Sequence, residues 1–308
     1  MNAENTRIFE NGLSRLKMPV LPLVNMVQFL YLTGPFATLN DVLSRLTKSV
    51  ELEGVLYENP HRMLVPYADF LREFEVIKGK KKLSASLPFI VNEKQEPVAK
   101  RQALELWIRQ QILSQELETI NSLLCGPCGC VLCCTGPNSE FDEASGFKGR
   151  MKQEYFEIPL EDSEVDLFGL HRVDTTESRT MTAQAEPPLH LDQAPFYKHA
   201  MALYHWKSGW SLILPEGAVC PQLSQDTKKC RIYAQRPAVC RKPQIFAYVL
   251  EKTPDTAKRS DGALIPVHMA RNSVLAVWDC PYVRKLQDEI GAYAEICGLD
   301  PIFKKSKT

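Results

Sequence analysis

The ten cysteines of this 308-residue chain are clustered, and the clustering is the feature most able to support chemistry. Five of them lie within ten residues, at Cys125, Cys128, Cys130, Cys133 and Cys134. A thiolate is a soft anionic ligand, and two thiolates separated by two residues can turn onto one metal ion. The glycines and the proline between these cysteines allow the backbone to curl. This segment therefore predicts a metal or cluster site.

Three more cysteines follow downstream at equal spacing, with nine residues between successive members: Cys220, Cys230 and Cys240. Distant cysteines of this kind can complete the coordination sphere that the first group opens. Together the two groups can hold two four-coordinate zinc ions, one shared zinc cluster, or one 4Fe-4S cluster with cysteines to spare. We expect zinc or iron as the metal, and the spacing leaves these alternatives open.

The amino terminus and the apolar residues bear on the cellular compartment. The chain starts Met-Asn-Ala-Glu-Asn-Thr-Arg, which is unlike a secretory signal. We therefore expect a cytoplasmic protein, in which a reducing environment favours metal ligands or redox thiols over disulfides. The most apolar stretch, Met18 to Gly34, is shorter than the roughly 20 apolar residues that span a bilayer, and prolines and polar residues interrupt it. We interpret it as a buried helix and expect no membrane partner.

The charge balance argues against a nucleic-acid partner. Lys+Arg 37 equals Asp+Glu 37, so the chain has no global field that would attract a polyanion. Three predicted helices followed by lysines around Gly79 could form a winged-helix-like DNA reader, but a solvated basic turn explains the same residues. The 44% of hydrophobic residues also excludes a disordered chain. We expect a metal ion as partner and do not expect a nucleic acid, and the sequence is silent on a protein partner.

The downstream cysteines carry a family resemblance. The segment Cys230-Arg-Ile-Tyr233-Ala-Gln-Arg236-Pro237-Ala-Val-Cys240-Arg241 resembles the YkgJ-type cysteine-cluster family, a zinc- or iron-chelating domain in which Cys-x-Ile-Tyr, Arg-Pro and Cys-Arg recur in that order. Cys220-Pro221-Gln-Leu223 is similar to the cysteine that the family places before this segment. The resemblance covers residues 125–243 with a long insertion between its halves, and the helical amino-terminal third lies outside it.

The upstream half of the resemblance departs from the family at one position. The family pattern Cys-x-x-Cys-x-x-Cys-Cys matches Cys130, Cys133 and Cys134, but its first cysteine falls on Pro127. Cys128 or Cys125 must substitute for that ligand. The resemblance implies a metal or iron–sulfur site. Some relatives resemble flagellin lysine methylases, so an iron–sulfur enzyme of redox or group transfer is the alternative function. The chain lacks a Gly-x-Gly-x-x-Gly pattern after a strand, so methyl transfer has no independent support.

Basic residues around the downstream cysteines can balance the charge of a thiolate site. Four thiolates around Zn²⁺ carry a net charge of about minus two, which nearby cations offset. Arg231, Arg236 and Arg241 recur every five residues, and Arg236 and Arg241 are our candidate cofactor-binding residues through donation to sulfur. An exposed basic turn is the alternative.

Two further cysteines and four of the six histidines are candidate ligands outside the two groups. Cys280, just before a predicted helix, is either a ninth ligand or a lone buried cysteine, and we interpret Cys297 as a structural or free cysteine. Any one of the scattered histidines could complete a mixed site, but each alone is typical of a surface or packed side chain: His190, His199, His205 and His268.

The elements that position the cysteines form an α+β protein. We predict a helical amino-terminal region at 1–96 and a small cysteine-rich metal-binding domain at 97–308 with an insertion at about 135–215. A long helix from Pro97 to Leu124, with apolar residues at spacings of three and four, leads directly into Cys125. Its rigidity suits it to mount a metal site. We predict short strands at Tyr155–Leu160, Glu164–Phe168, Trp210–Pro215 and Val274–Trp278. A closing helix is predicted at Tyr282–Cys297.

Overall fold

The computed structural model describes residues 3–79, 87–129, 131–135, 154–227, 229–242, 244–259 and 262–304. For Leu132 and Cys133 it describes the backbone alone. The predicted ligand Cys130, the side chain of Cys133 and the basic residues after Gly79 therefore lie outside what is described. The helices and strands confirm the α+β class.

The amino-terminal part is built mainly from short helices: α1 (Ala3–Lys17), α2 (Leu21–Thr33), α3 (Leu39–Leu43), α4 (Pro60–Leu64) and α5 (Ala68–Leu71). A small hairpin, β1 (Val50–Leu52) and β2 (Val55–Tyr57), and β3 (Phe89–Val91) accompany them. Thr38 and Asp41 form a capping box at the start of α3. The apolar stretch is the buried helix α2, as predicted. The last of the three helices predicted before Gly79 corresponds to the short helix α5, with a 3-10 turn on each side.

The longest element is helix α6 (Lys100–Cys128), which confirms the predicted helix and continues through Cys125 to Cys128. It ends at Gly129, whose left-handed backbone (φ +62°) suits glycine. Two amides on α6 bind the backbone of the neighbouring strand. Gln110 accepts from Val249 N and Leu250 N and donates to Ala247 O, while Asn121 both donates to and accepts from the backbone of Ile245.

The first four-stranded sheet contains a long antiparallel hairpin, β10 (Ile245–Lys258) and β11 (Leu264–Val277). The parallel strands β12 (Asp300–Lys304) and β3 pair with different parts of β11. The predicted strand Val274–Trp278 is the end of the longer β11. The predicted closing helix is divided into α9 (Pro281–Lys285) and α10 (Gln287–Ile296). These elements pack with α1, α2 and α6 around one large core, which draws residues from both sides of the predicted boundary at 96–97.

The second four-stranded sheet lies within the predicted insertion and has the order β4 (Tyr155–Leu160), β9 (Gly209–Pro215), β8 (Ala202–Trp206) and β5 (Arg172–Val173). A two-stranded hairpin, β6 (His190–Leu191) and β7 (Ala194–Pro195), accompanies it. Strands β4 and β9 confirm two predictions. The predicted strand Glu164–Phe168 is wrong, because Asp162–Leu167 forms a 3-10 helix.

Side chains alternate across this sheet and pack into two separate clusters. Leu203, Leu212 and Leu214 face a small core that includes Cys220, whereas Tyr204 and Trp206 face an aromatic cluster on the opposite side. Two short helices complete the fold, α7 (Leu132–Thr135) and α8 (Ala238–Arg241). Within the described residues, no single helix has the length and apolar character needed to cross a bilayer, although the bent pair α1 and α2 meets these criteria when taken together.

Candidate metal centre

Six of the described cysteines line one cavity of about 370 Å³. They come from five segments of the chain, namely the end of α6, α7, the loop after β9, α8 and the start of α9: Cys125, Cys134, Cys220 with Cys230, Cys240, and Cys280. Cys280 belongs to the large core and Cys220 to the small core. The cavity therefore lies between these two cores, at the carboxyl end of α6.

The structure brings together most of the predicted ligands that it describes. Cys128, on the last turn of α6, packs against the large core and is not part of the cavity wall. Cys125 lies one turn earlier on α6 and does line the cavity. Within the described part of the chain, the wall contains no histidine, aspartate or glutamate, so the four scattered histidines do not reach it.

The upstream and downstream cysteine groups meet at Cys134 and Cys220. The backbone N–H of Cys220 donates to Cys134 O at 2.6 Å. The pKa of the Cys220 thiol is lowered to about 7, mainly by a side-chain hydrogen bond from Cys134. Hydrogen bonds from backbone N–H groups and the charge of Arg231 also lower this pKa, whereas desolvation of the buried sulfur raises it. A lowered pKa favours the thiolate, which is the form of cysteine that binds metal ions.

A tight loop brings the next cysteine back to the same wall. Leu223 and Cys230 form an antiparallel bridge, and Ser224 N donates to Lys229 O at 2.9 Å. Arg231 N then donates to Gln222 O at 2.8 Å. These bonds close the chain between Cys220 and Cys230, which explains how two cysteines separated by nine residues reach one cavity.

The Tyr-x-x-Arg-Pro segment is attached to the last turns of α6. Tyr233 donates its hydroxyl to Ser122 O at 2.6 Å, and Arg236 Nη2 donates to Ser122 Oγ at 3.1 Å. The Arg236 guanidinium also lies 3.6 Å from the centre of the Tyr233 ring. Gly126 permits this contact, because a Cβ at that position would lie 2.9 Å from the tyrosine hydroxyl oxygen.

The two candidate arginines have different surroundings from those expected. Arg241 Nε binds Glu118 Oε1 at 2.8 Å and its Nη1 donates to Arg236 O, so this side chain also attaches α8 to α6. Arg236 is 6% exposed and lines the thiol cavity. The described hydrogen bonds of both guanidinium groups go to oxygen atoms rather than to sulfur. Their assignment to cofactor binding stays a prediction.

Glu164 is a positioning residue that the sequence analysis missed. Its carboxylate is buried, and Oε1 accepts from Ala238 N at 2.7 Å while Oε2 accepts from Glu161 N at 2.9 Å. Ala238 is the first residue of α8, two residues before Cys240. The contact joins residues 74 positions apart, so no local pattern indicates it.

The donor chemistry fits a thiophilic metal such as zinc or iron. Every described side chain on the wall that is a strong metal ligand is a thiol, and one of these thiols has a lowered pKa. No three described His, Cys, Asp or Glu side chains are grouped at the spacing of a metal site. Two predicted ligands, Cys130 and the side chain of Cys133, lie outside what the structure describes.

An α+β fold with a cavity lined by clustered thiols defines a cysteine-cluster protein. The comparison with family models agrees: residues 124–261, somewhat less than half of the chain, match CxxCxxCC, described as "Putative zinc- or iron-chelating domain". This segment is similar to that family, which confirms the YkgJ-type resemblance and supports metal binding in general. No curated protein and no solved structure gives a significant match.

Proposed function

We propose that this protein binds zinc or iron through the thiolates of its clustered cysteines, in the reducing environment of the cytoplasm. The observation that carries the proposal is the convergence of six cysteines from five segments on one cavity. Unrelated buried cysteines would be dispersed through the cores, as Cys297 is. Clustered thiols that leave other ligand types out of the wall are typical of zinc and iron–sulfur sites.

The proposed ligands come from both cysteine groups: Cys125, Cys128, Cys130, Cys133 and Cys134 upstream, and Cys220, Cys230 and Cys240 downstream. Cys134 and Cys220 are the first ligands that we propose, because the hydrogen bonds between them already join the two cysteine groups. Metal binding there would link α6, α7 and α8. Structural zinc contributes on the order of 10 kcal/mol or more to the folding of small domains, so we expect the metal to stabilise this region strongly.

Arg236 is proposed as the charge partner of the site. It lies on the cavity wall and has no carboxylate partner among the described residues. A buried guanidinium without an anion is costly, and a four-thiolate zinc centre with a charge of about minus two would compensate it. Arg241, which is paired with Glu118, would support the site by holding α8 against α6.

The second candidate function is an iron–sulfur enzyme of redox or group transfer. The size of the cavity favours it, since about 370 Å³ greatly exceeds the roughly 30 Å³ that one water occupies. Ile8, Ile158 and Phe168 make part of the wall apolar. Such a cavity has room for a cluster or a small organic molecule in addition to a single ion.

Elemental analysis combined with absorbance spectroscopy separates these functions. The full chain is expressed with iron–sulfur assembly proteins present and purified without oxygen. Zinc without iron in a colourless protein would support the zinc site and contradict the enzyme candidate. Iron with sulfide and broad absorbance near roughly 400 nm would support the cluster. A metal-free protein under both zinc-rich and iron-rich growth would contradict the proposal itself.

A further inference from the structure

We infer that Cys280 is an additional thiolate ligand of the metal centre, an inference that rests on the proposed function. Cys280 lies outside the family match at residues 124–261, so the family does not assign it a role. It is 1% exposed and lines the same cavity as the five other cysteines of the wall. A buried cysteine is often a small hydrophobic residue, and its place on a wall of thiols is what distinguishes this one.

The backbone holds Cys280 next to the segment that carries Cys240. Cys280 N donates to Val277 O at 3.1 Å, and Val277 N donates to Gln244 O at 2.8 Å. Gln244 lies four residues after Cys240, and both line the cavity. Cys280 is therefore anchored to the last cysteine segment of the family domain.

A buried hydrogen-bond network fixes the same segment to α6. Tyr282 donates its hydroxyl to Asn121 Oδ1 at 2.7 Å, and Asn121 binds both backbone groups of Ile245. Asn121 and Cys125 are four residues apart, so they lie on one face of the helix, a turn from each other. The start of α9 consequently enters the cavity at the end where Cys125 lies.

The upstream motif lacks a cysteine at one position of the family pattern, and Cys280 can supply a thiolate in its place. The first cysteine position of the family pattern is occupied by Pro127, which has no ligating side-chain atom. Cys280 supplies a thiolate from another segment to the same cavity. As the sulfur–metal bond forms, the thiol proton passes to solvent. The metal would then join the carboxy-terminal helices to the family domain.

Cys297 provides a matched control within the same chain. It is 2% exposed, close to the value for Cys280, but it does not line the cavity. Burial, together with the nearby Glu116 carboxylate, raises the pKa of the Cys297 thiol well above its usual value. Cys297 is thus equally buried and poorly suited to ligation.

The first test compares Cys280→Ser, Cys280→His and Cys297→Ser in the full chain. Metal per chain is measured, and the zinc is replaced by cobalt(II) to record the thiolate-to-cobalt charge-transfer band. For a four-thiolate site we expect Cys280→Ser to lose about a quarter of the band, since one sulfur of four is removed. Cys280→His should retain more metal than Cys280→Ser, and Cys297→Ser should match the wild type.

The second test avoids substitutions, so it does not depend on the folding of a variant. Wild-type protein loaded with cadmium-113 should show scalar coupling between the metal and the Cβ protons of Cys280, and none to those of Cys297. Coupling to other cysteines without Cys280, together with an unchanged cobalt band in Cys280→Ser, would overturn the inference and leave the proposed function intact. A wild-type protein that binds neither zinc, cobalt nor cadmium would overturn the proposed function.

Discussion

Arg236 is a buried, positively charged residue on the wall of the cysteine cavity. Its Nε donates to Tyr233 O at 2.9 Å, its Nη2 donates to Ser122 Oγ, and its guanidinium stacks on the Tyr233 ring. These contacts hold the Tyr-x-x-Arg-Pro segment on α6. The buried charge itself still needs an anion, and on our proposal the metal–thiolate centre supplies it.

Arg236→Met separates these two roles when it is compared with Ser122→Ala. We expect Arg236→Met to lower zinc affinity by about tenfold or more, a typical effect of losing a residue that surrounds metal ligands. It should also lower the free energy of unfolding of the metal-free protein by about 1–3 kcal/mol, because its acceptors lose a donor. Ser122→Ala keeps the charge and should leave affinity nearly unchanged. Chelator competition and urea denaturation measure both quantities, and equal zinc affinity in wild type and Arg236→Met would refute the charge role.

Helix α6 is the element that mounts the site. Its apolar residues recur at helical spacing, so the helix could be predicted from the sequence, as could the strands β4 and β9. The contacts between α6 and strand β10 could not be predicted from the sequence. Gln110 and Asn121 satisfy the backbone of β10, and these bonds span more than 120 residues of sequence, where local patterns carry no information.

The elements that the sequence analysis missed also have physical reasons. The exposed half of β10 is rich in Lys, Thr and Asp, and its place in the sheet depends on pairing with β11. The apolar alternation of Glu164–Phe168 resembles a strand, but the Glu164 carboxylate accepts from Glu161 N and forms a capping box that favours the 3-10 turn. The cysteine clusters predicted most of the cysteines that line the cavity, whereas the assembly of the wall depends on long-range contacts such as that between Glu164 and Ala238.

Gly12 tests the packing of α1 against α6. An alanine Cβ at this position would lie 2.8 Å from Leu124 Cδ2 and 3.1 Å from Leu123 Cβ, which is too close. We expect Gly12→Ala to lower the free energy of unfolding by about 1–3 kcal/mol, because overpacking outweighs the gain in helix propensity. Gly291→Ala in α10 is the control, since nothing lies within 4 Å of its Cβ, and it should stabilise by up to about 1 kcal/mol. Urea denaturation measures both; a stabilising Gly12→Ala would contradict the close packing.

At the scale of the whole molecule, the thiol cavity lies between two cores, and a buried carboxylate lies in the larger one. The large core encloses Glu116, whose carboxylate accepts from Val20 N at 2.8 Å and from the Tyr293 hydroxyl at 2.7 Å. Desolvation raises the pKa of Glu116 from 4.5 to about 7, against these hydrogen bonds and the charge of Arg15. The folded protein therefore binds a proton at Glu116 more readily than the unfolded chain does.

This shift predicts a pH-dependent stability. The stabilisation is fully present below pH 4.5 and is lost as the pH rises through about 7. Its size is on the order of 3 kcal/mol. Glu116→Gln should flatten the wild-type decrease in the free energy of unfolding between about pH 5 and pH 8, because glutamine does not titrate. Denaturation of both metal-free proteins across this range measures the difference, and parallel pH profiles would show that Glu116 is ionised throughout.

The proposed metal centre would hold the two cores together across the cavity. Metal per chain in Cys220→Ser, compared with Cys297→Ser, tests this claim most directly. Cys220 is hydrogen-bonded to Cys134 on the cavity wall, while Cys297 is buried away from the cavity. We predict stoichiometric zinc or iron in the wild type and in Cys297→Ser, and loss of at least about half of it in Cys220→Ser. Equal metal content in the two variants, or a wild type without metal, would contradict the account.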